Sequence, residues 1–107
     1  MAFEELVQKV KEIYKDADAS AIQEHVAIQF NVYGQAEGKF YLEIKDGEID
    51  IQPFEYYDRD VIIQTTVDTL FDIMEGRFDI GQVYAMKTAK FMGNLHKAAL
   101  LRNIIID

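Results

Sequence analysis

The chain has 107 residues, enough for one domain that buries roughly two thirds of its unfolded surface and too few for two independent cores, so residues 1–107 read as a single domain. A composition 50% hydrophobic and 28% charged excludes a disordered chain, and the absence of cysteine excludes disulfides, thiolate metal sites and a cysteine nucleophile together. With 11 Lys and Arg against 19 Asp and Glu, the formal charge of −8 repels phosphate backbones and anionic headgroups, so neither a nucleic-acid partner nor stable membrane insertion is expected.

Met1 to Glu5 carries early acidic residues where a signal peptide would have a basic start and an apolar run. No stretch reaches the ~20 apolar residues of a membrane span. The chain ends Ile105-Ile106-Asp107, unlike a peroxisomal tripeptide. A cytoplasmic protein is expected.

Residues 2–15 place Phe3, Leu6, Val7, Val10, Ile13 and Tyr14 at three- and four-residue spacings, with Glu4 and Glu5 at the start and Lys15 at the end. That pattern predicts an amphipathic helix whose charges complement its dipole. Residues 16–20 read as its end and a connection. From His25 the period changes to two: Val26, Ile28, Phe30 and Val32 face the core while Gln29 and Asn31 face away. Phe40, Leu42 and Ile44 repeat the alternation, Asp46-Gly47 is a hairpin turn, and Ile49 and Ile51 follow it. Residues 25–52 therefore make a three-stranded antiparallel meander.

Pro53 stops that run, and Val61, Ile62 and Ile63 supply a fourth strand. Thr65 or Thr66 caps a helix carrying Leu70, Ile73 and Met74 and closed by Gly76; Asp79 caps a second helix through Val83 and Met86. Residues 87–94 read as a short fifth strand. Leu95, Ala98, Ala99, Leu101, Ile104 and Ile105 predict a final helix. The order implies an α+β fold, an antiparallel or mixed sheet with its helices on one face.

His25 and His96 are the side chains that titrate near neutral pH, and neither has a metal-ligand or triad partner at a recognisable spacing. Asp46, Glu48 and Asp50 cluster at a turn without an EF-hand pattern and read as a solvated face. Phosphate loops and a nucleophile elbow are missing as motifs. No enzyme, metal or cofactor is expected. The C-terminal half is rich in soft, large apolar residues, among them Leu70, Phe71, Ile73, Met74, Phe78, Val83, Tyr84, Met86, Phe91, Met92 and Leu95. Their spacing alone fits a closed core, since Met and aromatics at helical spacing commonly pack on each other.

The stretch from Gly38 to Leu101 resembles the lipid-transfer domain of the sterol carrier protein type-2 family. The resemblance rests on Asp46-Gly47, Thr66-Val67-Asp68-Thr69-Leu70, Glu75-Gly76-Arg77-Phe78-Asp79, Ala89-Lys90-Phe91-Met92-Gly93-Asn94 and Ala98, taken in that order. Two positions depart from the family pattern: Val83-Tyr84 replaces an Ala-Phe pair, and Lys87 stands where a glycine is usual. The resemblance implies a five-stranded, mostly antiparallel sheet covered on one face by helices, with an apolar tunnel between sheet and C-terminal helices. It implies non-enzymatic binding or carriage of a fatty acid, acyl-CoA or sterol-like lipid. The side chains expected against that ligand are Phe30, Phe71, Met74, Phe78, Tyr84, Met86, Phe91, Leu95 and Ala99. The competing expectation is an interaction module with a collapsed pocket, in which the outward aromatics Tyr41, Tyr56 and Tyr57 carry self-association as a homodimer or docking of another protein.

Overall fold

In the computed structural model, which describes residues 1–106, the alternating apolar positions become three hydrogen-bonded strands: β1 (Val26–Tyr33), β2 (Gly38–Lys45) and β3 (Glu48–Gln52). Val26, Ile28, Phe30, Phe40, Leu42 and Ile44 share one face and are fully buried. Asp46 and Gly47 close the β2–β3 hairpin at φ of 53° and 78°. Those are the two positive values that the tightest hairpin turn requires and that Asp-Gly tolerates.

β4 (Val61–Thr66) runs parallel to β1, with Phe30 opposite Ile63, and β5 (Ala89–Gly93) pairs antiparallel with β4. The strand order is β3-β2-β1-β4-β5, a mixed α+β sheet with a single parallel pair. The parallel neighbour follows from topology: two hairpins leave β3 running in the direction of β1, so residues 53–60 must cross back over the sheet before β4 can start beside β1 in that same direction. Asp60 locks the crossing. Its backbone N–H donates to the Ala27 carbonyl at 2.8 Å, its carboxylate accepts from the Ala27 N–H at 2.9 Å, and its carbonyl accepts from Asn94 N–H at 2.8 Å. Gly93 passes so close to this point that a Cβ would lie 2.5 Å from the Asp60 oxygen, which explains a glycine in the strand.

Helices α1 (Phe3–Ile13), α2 (Val67–Met74), α3 (Ile80–Met86) and α4 (Leu95–Ala99) pack on the inner face. Thr66 caps α2 through Thr69 N–H, Asp79 and Gln82 form a reciprocal capping box on α3, and Asn94 caps α4 through Lys97 N–H. These caps matter because helices of five to eight residues do not hold without capping and tertiary packing.

The end of the chain departs from the expected helix. After α4 the backbone tightens into a 3₁₀ turn over Leu100–Asn103, and Ile104 is extended. Ile105 exchanges two backbone hydrogen bonds with Asp18, at 2.8 and 2.9 Å. Three consecutive β-branched residues, Ile104 to Ile106, disfavour a helix and suit this short bridge. The outer face also holds a surprise. Gln29 faces away from the core but is only 1% exposed, because the 53–60 crossing covers it. Its oxygen accepts from Tyr56 N–H at 3.2 Å and its amide donates to Asn31 at 2.9 Å.

Lys87 ends α3 in the left-handed region, at φ 60° and ψ 32°. The turn keeps the conformation that glycine favours while a lysine occupies it. Such a backbone costs a residue with a Cβ about 1–2 kcal/mol. Allowing for the extra freedom glycine gives the unfolded chain, Lys87→Gly is expected to raise the unfolding free energy by about 0.5–1 kcal/mol in urea titrations. A loss of stability would mean that the lysine side chain contributes packing worth more than the strain.

Candidate functional site

Two apolar recesses flank α3. The first forms where α2 ends: Gly76 turns the chain, Phe78 tucks back half-buried, and Ile80 opens α3, while the 3₁₀ turn and the extended C-terminal segment close the opposite side. The resulting pocket has a volume of about 180 Å³. Met74, Phe78, Ile80, Leu101, Ile104 and Ile106 wall it, and Tyr14, Asp79 and Arg102 supply polar groups. Tyr14 is buried, its hydroxyl donating to the Met74 carbonyl at a long 3.5 Å, and burial pushes its pKa up. Arg102 is exposed and, among the described residues, makes no ion pair. The second recess is an open groove of about 490 Å³ along the free edge of β5, lined by Tyr84, Lys87, Ala89, Lys90, Phe91 and Met92. The rings of Tyr84 and Phe91 lie 5.9 Å apart.

The nine side chains expected against a ligand are thus divided. Met74 and Phe78 meet in the first pocket, and Tyr84 and Phe91 meet in the groove along β5. Phe30 lies in the packed core, its ring stacked on Phe40 at 4.9 Å. Phe71 and Leu95 are half-buried against that core, Ala99 is half-buried on α4, and Met86 is 47% exposed at the end of α3. No single recess unites them. Sequence reasoning missed Tyr14, Ile80, Leu101, Arg102 and Ile106 as a pocket lining, since they come from four separate segments. The apolar run Ile104–Ile106 was the one signal that the chain end covers something apolar.

Both histidines are exposed and face single carboxylates, His25 on Glu43 at 2.7 Å and His96 on Glu24 at 3.3 Å. Among the described residues no group of three or more His, Asp or Glu side chains is placed to hold a metal, and no helix is long and apolar enough to cross a membrane. Of the outward aromatics, Tyr57 stands free at 93% exposure. Tyr41 and Tyr56 are half-buried and packed edge to face at 5.0 Å.

Tyr56 fastens the crossing loop to the sheet. Its hydroxyl donates to Glu43 at 2.5 Å, which pushes the Tyr56 pKa from 10.0 to about 12. That same bond, and then His25, hold Glu43 below its ordinary 4.5. The signs differ. Glu43 is depressed in the folded state, so its contribution is present above pH 4.5 and is lost as pH falls through the folded value. Tyr56 is raised, so its contribution is full below pH 10 and is lost as pH climbs from 10 to about 12. Tyr56→Phe is expected to cost about 1–2 kcal/mol near neutral pH and to flatten both limbs of the stability profile. A variant profile that superimposes on the wild type would contradict this clamp.

Solved structures share the fold. The sec-alkylsulfatase PisA1 aligns in two forms: a double mutant (TM-score 0.69, 16% identity) over 81% of this chain, and the Pseudomonas sp. enzyme (TM-score 0.68, 15% identity) over 78%. The chain spans only 14% and 13% of those two, so it corresponds to a small part of the sulfatase. Sterol carrier protein-2 like-3 from Aedes aegypti aligns over 94% of this chain and 92% of its own, at TM-score 0.67 and 11% identity. Palmitated SCP2L2 from Aedes aegypti aligns over 96% and 93%, at TM-score 0.65 and 14% identity. At these identities the likeness is one of fold. No curated protein matches the chain in sequence. Among family profiles, however, the SCP-2 sterol transfer family matches residues 3–105, nearly the whole length, and the chain belongs to that family.

Proposed function

We propose that this chain is a non-enzymatic cytoplasmic carrier of a fatty acyl molecule, held in the pocket between α2, α3 and the C-terminal segment. The observation that carries the reading is an apolar wall joined to a cation that pairs with no carboxylate among the described residues: Met74, Phe78, Ile80, Leu101 and Ile104 beside Arg102. An acyl chain gains about 0.8 kcal/mol for each CH₂ moved out of water against such a wall. A guanidinium at the rim suits the carboxylate head, which it can grip with two parallel hydrogen bonds. Family membership and the palmitated Aedes aegypti protein of the same fold support this choice of ligand class. Carriage without chemistry fits Tyr14, whose burial keeps the hydroxyl protonated and makes it a wall rather than an acid or base. The cytoplasm suits a chain without cysteine.

At 180 Å³ the pocket is smaller than the roughly 300–1,000 Å³ typical of sites that enclose a whole ligand. Loading therefore requires the Ile104–Ile106 segment to swing outward. Two backbone hydrogen bonds to Asp18 hold it, a short bridge that opens locally at low cost. Native mass spectrometry of protein purified from cells, before and after organic extraction, tests the reading. An acyl-sized adduct that extraction removes is expected; a clean apo mass from lipid-rich cells, unchanged after incubation with palmitate, would sink it.

A further inference from the structure

A further cleft, of about 260 Å³, lies between α1 and β3. Lys11 and Lys15 line it from the helix, and Ile49 and Ile51 from the strand. It shares a single lining residue with the acyl pocket, Tyr14, which therefore stands between the two. Tyr14 closes α1 as its C-cap and is buried, whereas Arg102 is exposed, so the acyl pocket runs from a cationic rim inward to the phenol. The hydroxyl does little to hold that ring in place. Buried phenols ordinarily bring their O–H to a good partner. Here the one hydrogen bond, to the Met74 carbonyl, is 3.5 Å long and at the limit for such a bond, so apolar contact positions the ring.

We propose that Tyr14 sets the length of acyl chain this site accepts: its ring is the end wall against which the tail stops, and the cleft behind it is the extra length that a smaller side chain would open. The inference rests on the acyl-carrier reading, with the carboxylate at Arg102 and the tail directed inward. Up to the ring, each added methylene leaves water and tightens binding about fourfold. Past that length the surplus carbons stay in the wet mouth of the pocket and add nothing. The cleft suits a tail once the ring is gone, because Ile49 and Ile51 line it and the stems of Lys11 and Lys15 are apolar up to their ammonium groups. Among the described residues neither lysine makes an ion pair, so none has to break when a tail enters.

The affinities of saturated fatty acids from hexanoate to palmitate, titrated one by one into the whole delipidated chain below their micellar concentrations, test it. In the wild type, affinity should climb about fourfold per methylene and level off at a chain shorter than palmitate. Tyr14→Ala should carry the climb past that length. Palmitate then gains at least about tenfold, the effect of two further buried methylenes, while short acids bind as before. Tyr14→Phe keeps the ring and should keep the break. Should Tyr14→Ala fail to fold, Tyr14→Leu shortens the side chain within the same apolar contacts and should extend the climb in the same way. Ile49→Phe fills the cleft from its other side: alone it should leave the wild-type series unchanged, and added to Tyr14→Leu it should restore the break. A wild type that binds no acid of any length sinks the carrier reading and this inference with it. A wild-type series without a break, a break that stays put in both Tyr14→Ala and Tyr14→Leu, or one that moves equally in Tyr14→Phe overturns the end wall alone and leaves the carrier standing.

Discussion

Phe30→Ala is expected to remove about 3–5 kcal/mol of stability. Phe30 sits midway along β1, the central strand, with Phe40 stacked on it from β2 at an interplanar angle of 13° and Ile63 opposite it on β4. It is fully buried, so truncation leaves a void enclosed by strands that cannot collapse without breaking their ladders. Against a total of about 5–15 kcal/mol for a domain of ordinary stability, the variant approaches the folding limit. Urea unfolding measures it directly. A loss below about 1 kcal/mol would mean the register is shifted by one residue, which would put Gln29 in the core in its place.

Met74→Trp is expected to weaken palmitate binding more than tenfold while changing stability by less than about 1 kcal/mol. Met74 has no exposed surface, yet it borders the pocket, so the added indole has empty space to enter. In a closed core the same change would overpack and cost about 1–3 kcal/mol. Displacing only two methylenes from the pocket removes about 1.6 kcal/mol of binding, more than a factor of ten. Palmitate affinity and urea midpoint measured on one variant separate the two cases. Unchanged affinity with a large midpoint drop would place Met74 in a sealed core and move the ligand elsewhere.

The local chemistry of the fold was legible in the sequence. Thr66 and Asp79 cap the helices assigned to them, Asp46-Gly47 makes its hairpin, and Ile28 and Phe30 are buried together. Each depends on neighbours a few residues away. What escaped depends on distant partners. The parallel pairing of β1 with β4 is set by a crossing loop, and the burial of Gln29 by Tyr56 arriving 27 residues later. The spacing of Ile105 fits a helix; its pairing with Asp18 decides otherwise. The same distance effect scattered the expected lining: the resemblance grouped Met74 with Phe71 and Met86, whereas the fold groups it with Tyr14 and Leu101.

Calorimetric titration of palmitate into delipidated protein tests acyl carriage most directly. A single saturable site is expected, with a negative heat-capacity change from burial of the chain and with weaker binding in Arg102→Gln. Heats of dilution alone, at protein concentrations well above those at which related carriers would saturate, would contradict it.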